Sequence, residues 1–178
     1  IMDVEVNDSC EESKEQNMTT AMRIGLGHDT HRMGEGGPMV LGGVEIPCTF
    51  HLIGHSDADV LLHAITDALL GACALGDIGE LFPDNDPQNQ NRCSGEMLRL
   101  AYQRVLAEGW KISNLDCVIL ATIPKISLHR VAIINSIAGI LEISPNQIFV
   151  KGKTGEQVGP VGRAEAIVAE CVALLHQP

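Results

Sequence analysis

Aromatic side chains are scarce: three Phe, one Tyr and one Trp among 178 residues. A stacking platform for single-stranded nucleic acid therefore has little to be built from. Positive charge is scarce too, with 12 Lys and Arg against 23 Asp and Glu, a formal charge of −11. That balance argues against a duplex binder, whose footprint is a basic patch. Long apolar runs are missing as well. The longest, residues 60–75, is interrupted by His63, Thr66 and Asp67, and nothing approaches the ~18 consecutive apolar residues of a membrane span. No C-x-x-C occurs. The six cysteines, Cys10, Cys48, Cys73, Cys93, Cys117 and Cys171, stand apart and mostly within apolar runs. This usage predicts reduced, buried thiols and a cytoplasmic protein.

What is present is ordinary for one globular domain, 45% hydrophobic and 20% charged. A chain of this size can bury about two-thirds of its unfolded surface, so a metal is not needed merely to hold a core. A protein this acidic that handles phosphates must supply local cations, N–H groups or metal ions. Residues 1–21 carry six acidic residues and one Lys with almost no apolar periodicity, which predicts a disordered acidic leader. It lacks the character of a transit peptide or a secretory signal. The folded domain is expected to cover residues 22–178.

Residues 22–27 read as a short strand, and Gly42-Gly43 between Met39–Leu41 and Val44–Ile46 reads as a two-residue hairpin turn. Ser56 and Asp59 have the form of a helix start, with Ser56 as N-cap. Apolar residues from Val60 to Ala72 recur at helical spacing, with Gly76 as the stop. A second helix is expected from a Ser94 cap through Glu108 and a third over 128–141. Strands are expected over 115–122 and 148–153, and a last helix over 164–175. This alternation points to an α/β (α+β) two-layer sandwich, a small mixed sheet with helices on one face.

Three constellations could carry chemistry. Asp29-Thr30-His31 in extended backbone puts Asp29 and His31 on one side; with helical His63 they make three N/O ligands, suited to a zinc ion with an open fourth position. His28 should point to the opposite face. His55 and Ser56 stand at a helix start, where free N–H groups favour an anion, although capping alone explains Ser56. Lys151-Gly-Lys-Thr-Gly-Glu156 follows a strand but lacks the spacing of a Walker loop. It is either a solvated turn or a small loop able to hold a phosphate and a hard cation.

Taken in order, these segments resemble the 2-C-methyl-D-erythritol 2,4-cyclodiphosphate synthases, ring-closing enzymes of non-mevalonate isoprenoid synthesis. The likeness runs from Arg23 to about Leu175 through Gly27-His-Asp-Thr-His31, His55-Ser-Asp-Ala-Asp59, Ala74-Leu-Gly-Asp-Ile-Gly79, Leu81-Phe-Pro-Asp-Asn-Asp86, Pro124-Lys125, Lys151–Glu156 and Gly162-Arg163. It implies a lyase that is a homotrimer with an active site at each subunit interface. It also implies that Asp29, His31 and His63 hold the zinc-type ion, and that Glu156 holds a second divalent ion, magnesium or manganese. His55 and Ser56 would hold phosphates at the methylerythritol end, while Asp77, Ile78 and Gly79 would meet its hydroxyls. Phe82, Pro83, Asp84, Asn85 and Asp86 would close over it. Ala121, Pro124, Lys125, Ile126 and Ser127 would line the cytidine pocket. Lys153 and Thr154 would hold the nucleotide phosphates, with Thr154 and His55 nearest the chemistry, and Arg163 would lie near the trimer axis.

The implied reaction is attack of a 2-phosphate on the β-phosphorus of a cytidine diphosphate ester, with release of CMP. Asp67, one turn beyond His63, is expected to orient that imidazole. Thr122 stands where a Gln is common, Pro160 where a Phe is frequent, and Ala164 where a Gly is frequent. The last two count against a prenyl diphosphate at the trimer axis, which the family can hold. Two other readings are a zinc hydrolase using the same three ligands and a non-catalytic trimeric module binding an isoprenoid diphosphate. The first leaves the Pro-Lys and Thr-x-Glu segments unexplained, and the second leaves a complete substrate-contact set without a use.

Overall fold

The computed structural model describes residues 21–54, 56–83, 85–86, 89 and 92–178. The predicted leader, Cys10, His55 and Asp84 lie outside them. Among the described residues, no helix is long and apolar enough to cross a membrane.

Strand β1 (Met22–Glu35) is 14 residues long, more than twice the run visible in the sequence. Its second half is polar, yet it is paired throughout, with β7 (Ala166–His176) up to Arg32 and with β4 (Phe50–Ile53) from Arg32 to Glu35. Between β1 and β4 lies the expected hairpin of β2 (Met39–Leu41) and β3 (Val44–Ile46). Its turn residues Gly42 and Gly43 have φ of 62° and 72°, the double positive φ of a type I′ turn that glycine adopts freely. With β5 (Lys111–Leu120) and β6 (Ile148–Lys153) the main sheet has the order β4-β1-β7-β5-β6. Only β5 and β6 run parallel among its pairs, so the sheet is mixed, as expected.

The main correction concerns the C-terminal segment. Residues 164–175 were expected to be helical, but β7 occupies the centre of the sheet between β1 and β5. Ile167, Ala169, Cys171, Ala173 and Leu175 are buried at every second position, the strand period. The intervening Val168, Val172 and Leu174 are apolar too, so the alternation is masked in the sequence, and Ala and Leu favour helix. Pairing on both sides outweighs that weak local preference.

Helix α1 (Val60–Ala72) packs on β1 and β7, α3 (Ser94–Ala107) on α1, and α4 (Arg130–Leu141) on α3 and β6. Short helices α2 (Ile78–Leu81) and α5 (Gly159–Gly162) lie in the connections. Helix limits differ from expectation in four places. Asp59, not Ser56, caps α1, and the helix ends at Cys73 before a left-handed Ala74, ahead of Gly76. Cys93 holds the cap position of α3 without a side-chain bond, because Ser94 is the first helical residue and its hydroxyl is engaged elsewhere. The third helix is divided into a 3-10 turn (Ile126–Leu128) and α4.

Helix and sheet meet closely because β1 presents glycine to α1. A Cβ on Gly25 would collide with the Ala68 carbonyl oxygen, and one on Gly27 with that of Ala64. Among the described residues, the opposite face of the sheet is left open to solvent. Leu26, Val172, Asp116 and Phe149 stand in one register row across β1, β7, β5 and β6. Ile24, Leu26 and Phe149 there are 73%, 68% and 51% exposed.

Because Gly27 has no room to grow, Gly27→Ala forces α1 off the sheet. The expected loss is about 1–3 kcal/mol or more of unfolding free energy, read from urea denaturation, while Gly71→Ala, with open space around its Cβ position, stays near the parent value.

Candidate metal centre and substrate site

Asp29 and His31 lie on the face of β1 that carries Gly25 and Gly27, two and four residues further along the strand. His63 projects from α1 beside Ala64, the residue that touches Gly27. The ligand atoms of these three side chains lie within 4.8 Å of one another. Asp29 Oδ2 is 2.9 Å from His31 Nε2 and 3.0 Å from His63 Nδ1, and the two imidazole nitrogens are 3.3 Å apart. The expected trio therefore forms from elements 32 and 34 residues apart in sequence. Two imidazole nitrogens and a carboxylate oxygen converging on one point form an N/O donor set suited to zinc. The chemistry of the donors fits the ion that the sequence implied.

Surrounding contacts aim these ligands. His31 Nδ1 lies 2.9 Å from the Ile53 carbonyl oxygen and donates to it, leaving Nε2 for the centre. Burial raises the Asp29 carboxyl, but hydrogen bonds from His31 and His63 outweigh it and hold the carboxyl well below the usual range. Burial lowers the His31 imidazole, and the Asp29 carboxylate with the Ile53 carbonyl raises it above the ordinary value. His28, as expected, faces away, 3.4 Å from Glu170.

Asp59 fixes the segment before α1. Fully buried, it accepts four backbone N–H bonds: Gly42 at 2.9 Å, Gly43 at 2.6 Å, Leu61 at 3.2 Å and Leu62 at 3.1 Å. One carboxylate thus caps the helix and ties the β2–β3 turn to it. Ser56, freed from capping α1, accepts the Ala58 N–H at 3.1 Å and lies 3.2 Å from His63 Nε2.

Asp67 does not orient His63 as expected. Its carboxylate accepts the Ile78 N–H at 2.8 Å, joining α1 to α2. The group placed against His63 Nε2 is Ser94, at 2.8 Å, whose hydroxyl also contacts Asp57. Sequence reasoning took Ser94 for a cap and did not single out Asp57 as a site residue. Their separation of 37 residues left no local signal of the contact.

Asp77, Ile78 and Gly79 start α2, where the Asp77 side chain accepts the Glu80 N–H at 2.8 Å. Phe82, Pro83, Asn85 and Asp86 follow. Phe82 is buried beneath the Arg92 guanidinium, 5.2 Å from its ring centroid.

The remaining expected site residues gather elsewhere. Ala121 donates to the Lys153 carbonyl at 2.8 Å, so the ends of β5 and β6 meet. Thr122 donates its hydroxyl to the Val161 carbonyl at 2.7 Å. Pro124, Lys125, Ile126 and Ser127 follow β5, with Ile126 buried. Thr154 donates to Glu156 Oε1 at 2.8 Å, and Arg163 pairs with Glu165 at 2.7 Å. Register keeps this group from the metal trio. Thr30 aligns with Val168, Val168 with Leu120, and Leu120 with Lys153. Three strand spacings are about 14 Å, too far for both groups to grip one phosphate within a single chain.

The YgbB family model matches residues 22–176. Among curated relatives, the 2-C-methyl-D-erythritol 2,4-cyclodiphosphate synthase of Treponema denticola is 51% identical over 154 residues, covering 86% of this chain and 96% of its own. That of Gemmatimonas aurantiaca is 49% identical over 150 residues, covering 84% and 90%. Of solved structures, the bifunctional IspDF from Campylobacter jejuni aligns with TM-score 0.86 at 39% identity; the match covers 90% of this chain and 43% of that one. The Plasmodium falciparum IspF CDP complex aligns with TM-score 0.78 at 38% identity, covering 88% and 96%.

The Asp29 and His31 shifts set a pH window for the metal-free protein. The lowered Asp29 carboxyl contributes stability above its ordinary value of 3.8, lost as pH falls through the depressed value. The raised His31 contributes below its ordinary value of 6.5, lost as pH rises through the elevated one. Both contributions are present between 3.8 and 6.5. Urea titrations of chelated protein should show stability declining above that window, with a shallower decline in Asp29→Asn. Independently, Asp59→Ala should cost about 2–4 kcal/mol through a lost cap and buried unpaired N–H groups, measured in the same titration.

Proposed function

The chain belongs to the YgbB family, and from that premise we propose that it converts 4-diphosphocytidyl-2-C-methyl-D-erythritol 2-phosphate into 2-C-methyl-D-erythritol 2,4-cyclodiphosphate and CMP. The observation that carries this reading is the convergence of Asp29, His31 and His63 in a chain whose relatives bear the synthase name. The substrate 2-phosphate is anionic at neutral pH, so the attack needs no protein nucleophile. The protein's work is to bring two anions together and hold them in line.

Asp29, His31 and His63 would hold a zinc-type ion, and Glu156 would help to hold a magnesium or manganese ion. Bound there, such cations supply charge neutralisation and template the reacting phosphates. His55 and Ser56 would bind phosphate oxygens near the first ion. Asp77 and the Ile78–Gly79 backbone would orient the erythritol hydroxyls, and residues 82–86 would exclude water above them. Lys125 and the backbone of Ala121, Pro124, Ile126 and Ser127 would receive the cytidine. Lys153 would offset phosphate charge, and Thr154 would direct its hydroxyl to the diphosphate once it releases Glu156.

Two observations support a homotrimer with interfacial sites. Thr30, between two of the metal ligands, and Lys153 stand three strand spacings, about 14 Å, apart, so a neighbouring copy would complete each site. The uncovered sheet face offers Ile24, Leu26, Val172 and Phe149 for burial between copies. The hydrolase and binding-module readings gain no support from the relatives' names.

Phosphorus NMR with the cytidine substrate tests the reading. Cyclic diphosphate and equimolar CMP should appear, vanish on chelation and return with zinc and magnesium; silence from the metal-loaded protein would refute it. Thr154→Val should lower kcat about 100-fold, the usual cost of one transition-state donor.

A further inference from the structure

A hydrogen count around His63 leads beyond the three metal ligands. Ser94 is fully buried, so its groups are paired within the protein. Its N–H donates to Asp57 Oδ2 at 3.1 Å, and its hydroxyl hydrogen is committed to Asp57 Oδ1. A serine hydroxyl has one hydrogen. Toward His63 Nε2, 2.8 Å away, Ser94 Oγ can therefore offer only a lone pair. Ser56 Oγ, 3.2 Å from the same nitrogen, can accept from it as well. A hydrogen bond between Ser94 and His63 therefore takes its hydrogen from Nε2, so that Nδ1, once it gives up to the ion the hydrogen it offers Asp29, presents its lone pair to the centre. Nδ1 is the nitrogen facing Asp29 Oδ2 at 3.0 Å and His31 Nε2 at 3.3 Å.

We propose that Asp57 and Ser94 form a positioning chain that fixes the Nε2–H tautomer of His63 and so presents Nδ1 to the metal. The inference rests on the metal-centre reading above and extends it to two residues outside the ligand trio. Asp57 acts through Ser94 by occupying its only hydrogen, and the two connect the segment before α1 to the first turn of α3. His31 reaches the same state by another route, through the Ile53 carbonyl. Each histidine thus has one nitrogen engaged by the protein and the other released to the ion.

Asp57→Asn is the sharpest test because it changes hydrogen bonding at nearly constant volume. The amide introduced by this substitution can donate to Ser94 Oγ, freeing the serine hydrogen to point at Nε2 and favouring the Nδ1–H form. Zinc affinity, measured by competition with a chromophoric chelator, should fall about 10- to 100-fold in Asp57→Asn and in Ser94→Ala. The double variant should fall no further, since both changes break one chain. Thermal unfolding of the chelated proteins separates this from loss of fold; where Ser94→Ala does not fold, Asp57→Asn carries the comparison. Nitrogen-15 NMR of zinc-loaded parent protein should show His63 ligated through Nδ1 with a proton on Nε2. Unchanged zinc affinity in Asp57→Asn, additive losses, or ligation through Nε2 would overturn the proposal while leaving the metal centre standing. A parent protein that binds no zinc would overturn both.

Discussion

The site depends on how closely α1 approaches β1. Glycine at 25 and 27 removes the side chains that would otherwise hold the helix off the sheet, and Ala64 and Ala68 supply the backbone that moves in. Strand periodicity then carries Asp29 and His31 along the same face, while His63 stands one residue before Ala64. Spacing in the sheet layer and chemistry in the ligand trio are therefore one constraint. A helix displaced by the width of a methyl group would leave His63 short of two partners that it now meets at 3.0 and 3.3 Å.

Asp59 serves the same geometry from the other end. Its four N–H bonds pin the β2–β3 turn against the start of α1. Burial raises this carboxyl, while the backbone N–H groups oppose the rise. The residue sits where a hydroxyl cap would satisfy the helix but could not reach two further amides in a neighbouring turn. That is why Asp59, rather than Ser56, takes the role, and why Ser56 is left facing the metal centre.

Features written locally were legible in the chain. The Gly42-Gly43 turn, the Asp-x-His pair and the apolar face of α1 each occupy a few residues with a characteristic period, and each is found as expected. Features that arise from distant pairing were not. Strand β7 hides its period because both faces are apolar, and the sheet decides its conformation. The second half of β1 looks like a loop until both neighbours are seen. Ser94 reads as a cap because serine before a helix usually is one, and nothing near it announces Asp57 or His63. Asp67 lies one turn from His63, as a partner should, yet the free Ile78 N–H at the start of α2 claims its carboxylate.

The separation of the two residue groups bears on assembly. Within one chain, β7 and β5 lie between the metal trio and the nucleotide group, so the sheet that builds both also keeps them apart. Joining one group to the other group of a neighbour is a contact between two different surfaces, and repeated contacts of that kind close into a ring or grow without limit. The exposed apolar side chains Ile24, Leu26, Val172 and Phe149 favour closure, because a ring would turn that face inward and remove it from water. An acidic chain gains further from such a joint. On the proposed reading, Lys125 and Lys153 of one copy would face the Asp29, His31 and His63 centre of the next, and the charges that a diphosphate requires would be concentrated where two copies meet. Substrate binding and subunit association would then draw on the same electrostatic complement.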